Sequence, residues 1–356
     1  MKLTYLIGAS HDMYRGRFPY RGRHLSFGTH SFIYDLVRVG SRLGHDWTIV
    51  LDEPELFPLS AALRHPARVV KTSAWSPEGT DGAIAEYWAS DESLSSLPAR
   101  TPLIAVVHNS DHCFSSFKQD RANAVLCMSP TSLVKQRRTF DPEKLFLSIQ
   151  GVDLDRFSPT RTVARRDGAR PRVLVASRID DNKQDAVRQV VDRLVERAID
   201  LTVLGDGAGF WDLSDRLGHR LTLINHIPCH SIHRFLPQFD LVVSSARGVM
   251  EAFACGLPAL CVGLDYGGAV TPDRLDELLE RNLTGHASGR NLDQLDEDLT
   301  AALAVAGSDC RRIAEERFDA TRVVEQLVAV FDRVRPINAA MPSPADTSVL
   351  DGVDGS

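Results

Sequence analysis

At 356 residues, with 43% hydrophobic and 25% charged positions, the chain is long enough for two ordinary globular domains, each with its own core. A formal net charge of -6 argues against the broad basic field of a nucleic-acid binder, and the longest apolar runs, such as Leu103 to Val107, are far too short to span a membrane. The six cysteines (Cys113, Cys127, Cys229, Cys255, Cys261 and Cys310) form no C-x-x-C pair and no zinc spacing, and the first residues lack the long apolar region of a signal peptide, so a cytoplasmic protein with reduced thiols is expected.

Short apolar strands alternate with amphipathic helices. In the first half the strands fall at Leu3 to Gly8, Trp47 to Leu51, Leu103 to Val107, Ala124 to Cys127 and Leu145 to Ile149. Between the first two lies a helix with Phe32, Leu36, Val39 and Leu43 at helical spacing, stopped by Gly44. The segment 152–171, with Pro159, Gly168 and Pro171 and no sustained periodicity, reads as a linker. The second half repeats the pattern, with strands at Arg172 to Ala176, Leu201 to Leu204, Leu221 to Ile224, Leu241 to Ser244 and Ala259 to Val262, and its clearest helix from Lys183 to Arg197. A last helix covers 321–335, and 338–356 reads as a disordered tail. The expectation is α/β: two doubly wound, Rossmann-like domains, 1–151 and 172–320, with parallel sheets facing a cleft.

Two segments carry chemistry. In Val173-Leu174-Val175-Ala176-Ser177-Arg178-Ile179-Asp180-Asp181-Asn182-Lys183 a strand ends and two cations follow, five residues apart, around a helix start. Ligands of open α/β sheets bind beyond strand carboxyl ends, and two cations there suit a diphosphate; the same pair also reads as ordinary solvated charge. The second segment runs from Ser244 to Pro258. Gly248 and Val249 open a helix whose amides and dipole favour an anion, and Glu251 suits either ribose hydroxyls or a helix cap.

Three stretches, in order, then give the chain a resemblance: Gly151-Val152-Asp153-Leu154-Asp155-Arg156-Phe157-Ser158-Pro159, the Arg178/Lys183 pair, and Glu251-Ala252-Phe253-Ala254-Cys255-Gly256-Leu257-Pro258. Over residues 1 to 335 the chain resembles the retaining GT-B glycosyltransferases of the family-4 type (glycosyl transferases group 1). The resemblance implies a nucleotide-diphosphate sugar donor, UDP or GDP, and no separate cofactor. It implies that Arg178 and Lys183 hold the diphosphate, that Glu251 binds the ribose, and that Asn225-His226-Ile227-Pro228 holds the base, largely through backbone. It places Gly28 and Thr29 near the phosphates and His108 beside the transferred sugar, and it sends the last helix back to the first domain.

The chain departs from that family in one important place. The family has two glutamates separated by seven residues; Glu251 matches the second, but Val243 stands at the first, and Ser244 to Gly248 contain no acid. Gln184 after Lys183 replaces a common glycine. A further feature is the crowding of Arg15, Arg17, Arg21 and Arg23, with His11, His24 and His30 nearby, after the first strand. Arg17 and Arg21 suit a carboxylate or phosphate on the acceptor; a solvated basic loop is the plainer reading.

Rival classes find less support. Gly205-Asp206-Gly207-Ala208-Gly209 lacks the spacing of a dinucleotide fingerprint, and there is no P-loop, no G-x-S-x-G elbow and no metal-ligand cluster. The expected activity is metal-independent, retaining sugar transfer to a small polar, possibly anionic, acceptor, as in natural-product biosynthesis. A GT-B sugar-nucleotide epimerase and a non-catalytic sugar-nucleotide-binding paralogue stay open. The expected partners are donor and acceptor, without nucleic acid or membrane span; nothing fixes the oligomeric state.

Overall fold

A computed structural model of the chain describes residues 1–7, 28–54, 57, 59–87, 89–108, 114–159, 169–180 and 182–339, the last four by their backbone alone. The arginines at 15, 17, 21 and 23, and all but two residues of the expected tail, lie outside that set.

Two sheets stand in sequence. The first contains β1 (Lys2–Leu6), β2 (Asp46–Leu51), β3 (Arg68–Lys71), β4 (Gly82–Glu86), β5 (Leu103–Val107), β6 (Ala124–Cys127) and β7 (Leu145–Leu147), in the order β3-β2-β1-β4-β5-β6-β7, all parallel. The second contains β8 (Arg172–Arg178), β9 (Asp200–Asp206), β10 (Thr222–Ile224), β11 (Leu241–Ser244), β12 (Ala259–Val262) and β13 (Tyr266–Ala269), in the order β10-β9-β8-β11-β12-β13. In each sheet the order reverses beside the first strand, between β1 and β4 and between β8 and β11. Loops leave in opposite directions at those points and open a crevice at the strand carboxyl ends. The two crevices face each other.

Three strands escape the sequence pattern. β3 is short and polar at both ends, and its inner valines are only half-buried. β13 is the antiparallel edge of an otherwise parallel sheet, and its Tyr-Gly-Gly-Ala has the composition of a turn. β4, Gly-Ala-Ile-Ala-Glu, is buried at every position at the centre of its sheet, yet its small residues give no strong apolar run. Gly82 has a packing reason: a Cβ there would lie 2.7 Å from the Phe331 ring.

Phe331 belongs to the C-terminal helix, Ala320–Ala339, which buries Val323, Leu327, Val330, Phe331 and Val334 in the core of the first sheet, with Phe32, Leu36 and Val39 of helix α1 (Gly28–Arg42). Burying each such side chain stabilises the contact by roughly 1.5–3 kcal/mol. The Val152 amide donates to the Phe318 carbonyl at 2.7 Å and the Ala320 amide to the Val152 carbonyl at 3.1 Å, so the crossing from one sheet to the other is tied to the start of the returning helix. α1 ends at Arg42, before Leu43, which is therefore exposed instead of completing the apolar stripe; Gly44 supplies the positive φ of 82° beyond it. Among the described residues no helix is long and apolar enough to cross a membrane.

Candidate functional site

A cleft of about 430 Å³ lies where the strand ends of the two sheets meet. On its second-sheet side, β8 runs two residues past the anticipated Ala176, so Arg178 is the last residue of the strand, its Nε 2.7 Å from Asp180 Oδ2. Burial pulls the Arg178 pKa down, and Asp180 partly restores it. Lys183 stands at the N-cap position of the helix Gln184–Leu194, makes no capping bond with its side chain, and donates from Nζ to Ser245 Oγ at 2.9 Å, just beyond β11. Burial, then the neighbouring Arg178 charge, push its ammonium down to about 8. These are two desolvated cations at one strand-end corner, an environment that rewards the arrival of an anion.

The helix Arg247–Ala254 starts at the same corner. Its N-cap, Ala246, holds φ 46° and ψ -119°, a left-handed conformation costing a non-glycine residue about 1–3 kcal/mol. Gly248 lines the cleft, and a Cβ there would run into Ser244 Oγ, so glycine is what lets the helix close on the end of β11. Because the helix begins at Arg247, Glu251 is its fifth residue and makes no N-terminal cap; Oε1 accepts instead from Arg247 Nε at 2.9 Å. Burial raises the Glu251 carboxyl against the pull of Arg247 and Arg156. Val249 buries its side chain fully in the core, and its amide donates to the Ala246 carbonyl at 3.1 Å.

The first-sheet side is made differently. Gly28 and Thr29 begin α1 opposite the other helix start, and a Cβ on Gly28 would sit 3.6 Å from Arg247 Cβ. His30, one residue further on, is held neutral: burial, then Arg178 and His108, lower it to about 3. His108 follows β5 with its Nε2 3.0 Å from Glu86 Oε1, at the end of β4. Glu86 is fully buried and also accepts from Tyr5 Oη at 2.6 Å; burial and that carboxylate push the Tyr5 phenol well above its ordinary value, which keeps it a donor. Where Glu86 accepts from Nε2, a neutral His108 ring carries its proton there and has Nδ1 as its acceptor. Glu86 is a site residue that sequence reasoning missed, since it ends the strand that carries no pattern. The one available signal was a glutamate directly after an apolar triplet.

Between the two sides runs a buried ionic network. Asp35 of α1 pairs with Arg247 Nη2, lies 2.6 Å by Oδ1 from Arg156 Nη2, and accepts from the Asp153 amide at 3.2 Å. Arg247 Nη1 donates to the Gly151 carbonyl at 2.7 Å. Asp153 takes Arg38 at 2.8 Å and Arg42 at 3.0 Å; burial opposes its charge, but the two guanidiniums hold it below its ordinary value. The linker segment Gly151 to Pro159 thus supplies Asp153 and Arg156 to a joint between α1 and the Arg247 helix.

The structure therefore gathers Gly28, Thr29, His108, Arg178, Lys183, Ile227, Gly248 and Glu251 around one cleft, with Asn225 and His226 beside Ile227. Arg17 and Arg21 fall outside the described residues. No protein-family model and no curated protein matches the chain. Solved structures do. The chain is similar to Anabaena Alr3699/HepE in complex with UDP, with TM-score 0.63 and 16% identity over 94% of this chain and 100% of that one. It is similar to AviGT4, a glycosyltransferase involved in avilamycin A biosynthesis, with TM-score 0.60 and 16% identity over 94% and 98% of the two chains. It is also similar to an α-glucosyltransferase in complex with UDP and a 13-mer DNA containing an HMU base, with TM-score 0.65 and 10% identity over 93% and 100%. At these identities the likeness establishes the fold, which is GT-B: two Rossmann-like domains facing a central cleft.

Proposed function

We propose that the chain is a retaining glycosyltransferase that moves a sugar from a UDP- or GDP-sugar to a small polar, anionic acceptor. The observation that carries this reading is the convergence of Arg178, Lys183 and the starts of α1 and the Arg247 helix on one cleft. In transfer, the bond between the anomeric carbon and the diphosphate oxygen breaks as the acceptor hydroxyl attacks from the same face, and the hydroxyl proton passes to the departing phosphate oxygen. Charge grows on the diphosphate, and Arg178, Lys183 and the helix start are placed to stabilise it without a metal ion. Glu251 would accept from the ribose hydroxyls, next to Arg247, and the half-buried Ile227 segment would receive the base. That one similar structure holds UDP and another belongs to a biosynthetic glycosyltransferase supports the donor class and a role in natural-product biosynthesis.

A thermal-shift series with UDP, GDP, ADP and TDP reads donor class directly, because a ligand bound only by the folded state raises the melting temperature. A transferase releases nucleoside diphosphate only when acceptor is present. An epimerase needs no acceptor, and a binding module releases nothing. For the acceptor, Arg17→Gln with Arg21→Gln should raise the apparent constant for a carboxylate acceptor and leave donor affinity unchanged. Equal use of that acceptor and its methyl ester by the unmodified enzyme would overturn the anionic-acceptor reading.

A further inference from the structure

The loop from β11 to the Arg247 helix, Ser245 and Ala246, carries no acid that could accept from the hydroxyls of a bound sugar. The cleft offers only two carboxylates among its described lining residues, and both are engaged. Glu251 accepts from Arg247 at 2.9 Å; Asp206 Oδ1 accepts from the Gly207 amide at 2.7 Å and lies 3.4 Å from Asn225 Nδ2.

Asn282 lies at the same corner. It follows the short helix Leu275–Leu279 and lines the cleft. It holds φ 55°, and Leu283 after it holds φ 54°, two successive left-handed residues of which neither is glycine. The turn is fastened on three sides. The Asn282 and Leu283 amides donate back to Leu279 and Leu278 at 3.0 and 2.8 Å; the Leu283 carbonyl accepts from the strained Ala246 amide at 2.9 Å; and Asn282 Nδ2 reaches the His108 carbonyl at 3.5 Å. That last contact bridges the two domains. It also fixes which end of the amide faces which way. Nδ2 is spent on His108, and Oδ1 is buried with no hydrogen-bond partner among the described residues. His108 Nδ1, on the residue it touches, is in the same condition. A buried amide oxygen left unpaired is destabilising, so two such acceptors at one corner of a ligand cleft call for a donor from the ligand. Sugar hydroxyls are such donors.

Building on the nucleotide-sugar reading above, we propose that Asn282 is a donor-sugar specificity residue: its Oδ1 accepts from a hydroxyl of the transferred sugar, with His108 Nδ1 as the companion acceptor. The consequence is a neutral sugar subsite beside a cationic diphosphate subsite.

The test is binding, measured by calorimetry with UDP, GDP and the corresponding UDP- and GDP-hexoses. Asn282→Gly suits it, because glycine takes a φ of 55° without strain and removes the side chain with its amide. Melting temperature and affinity for the free nucleoside diphosphate should stay within about twofold of the unmodified protein, while affinity for the nucleotide sugar falls roughly tenfold, the scale of one hydrogen bond. Donors deoxygenated at single sugar positions identify the partner: at one position the tenfold difference between the two proteins should vanish. Equal affinities of both proteins for the nucleotide sugar, or parallel losses for sugar and free diphosphate, would overturn the assignment to Asn282 while leaving the donor class intact. If the unmodified protein binds no nucleoside diphosphate at all, the nucleotide-sugar reading falls, and this inference with it.

Discussion

The two walls of the cleft are built from opposite materials. The second-sheet wall is a set of charges on short stretches of chain: Arg178 and Lys183 within six residues, Arg247 and Glu251 within one helical turn. The first-sheet wall is a chain of hydrogen bonds around one buried carboxyl, assembled from distant strands, Tyr5 on β1, Glu86 at the end of β4 and His108 after β5, with His30 kept uncharged beside it. Charge suits the part of a donor that leaves as an anion; neutral donors and acceptors suit the part that is transferred. The difference suggests that binding strength resides on one wall and selectivity on the other, and that the joint between them matters as much as either.

The joint should show the largest effect. Asp35→Ala leaves Arg247 and Arg156 buried without the carboxylate that pairs them, and removing one partner of a buried ion pair costs about 3–5 kcal/mol. Urea unfolding should show the midpoint falling by that measure at an unchanged slope. A stability within about 0.5 kcal/mol of the original would mean that the two walls are held together by apolar packing alone.

Next come the charges of the second-sheet wall. Arg178→Ala and Lys183→Ala should each lower turnover at saturating donor by about 100-fold or more, the scale of a lost charge-stabilising group, with the fold retained. Normal turnover in both variants would erase the division of labour proposed here.

The smallest effect is the most diagnostic. Lys183 sits at about 8 in the free protein because burial, and then Arg178, disfavour its charge. Below that pH the ammonium is present; above it the charge is lost. A bound diphosphate favours the charged form and raises the pKa in the complex, so binding takes up protons at and above pH 8. Diphosphate affinity should therefore fall as pH rises through 8, by at most about tenfold per pH unit, and Lys183→Met should flatten the profile. Calorimetry in buffers of different ionisation enthalpy counts the proton directly. A flat profile in the unmodified protein would remove Lys183 from the diphosphate subsite.

What the sequence by itself determined follows the range of its interactions. The alternation of strand and helix, the cation pair after β8 and the helix starting near Gly248 are each written in fewer than a dozen consecutive residues, because hydrophobic period, cap and turn chemistry act locally. The interdomain segment at Gly151 to Pro159 was visible as a motif, but the partner of its Asp153 and Arg156 lies more than a hundred residues away, at Asp35. The central strand β4 has too few large side chains to announce itself, and its Glu86 acquires a role only when β1 and β5 are laid on either side of it. Val249 was legible as part of a helix start, but only the register of that helix sends its side chain into the core. Asn282, at a left-handed turn in the second domain, meets His108 from the first only when the two sheets close on each other. Local pattern fixes which elements form. Only the tertiary structure decides which buried polar atoms find a partner and which are left without one beside the cleft, because that depends on what a chain folded twice over brings to the same point.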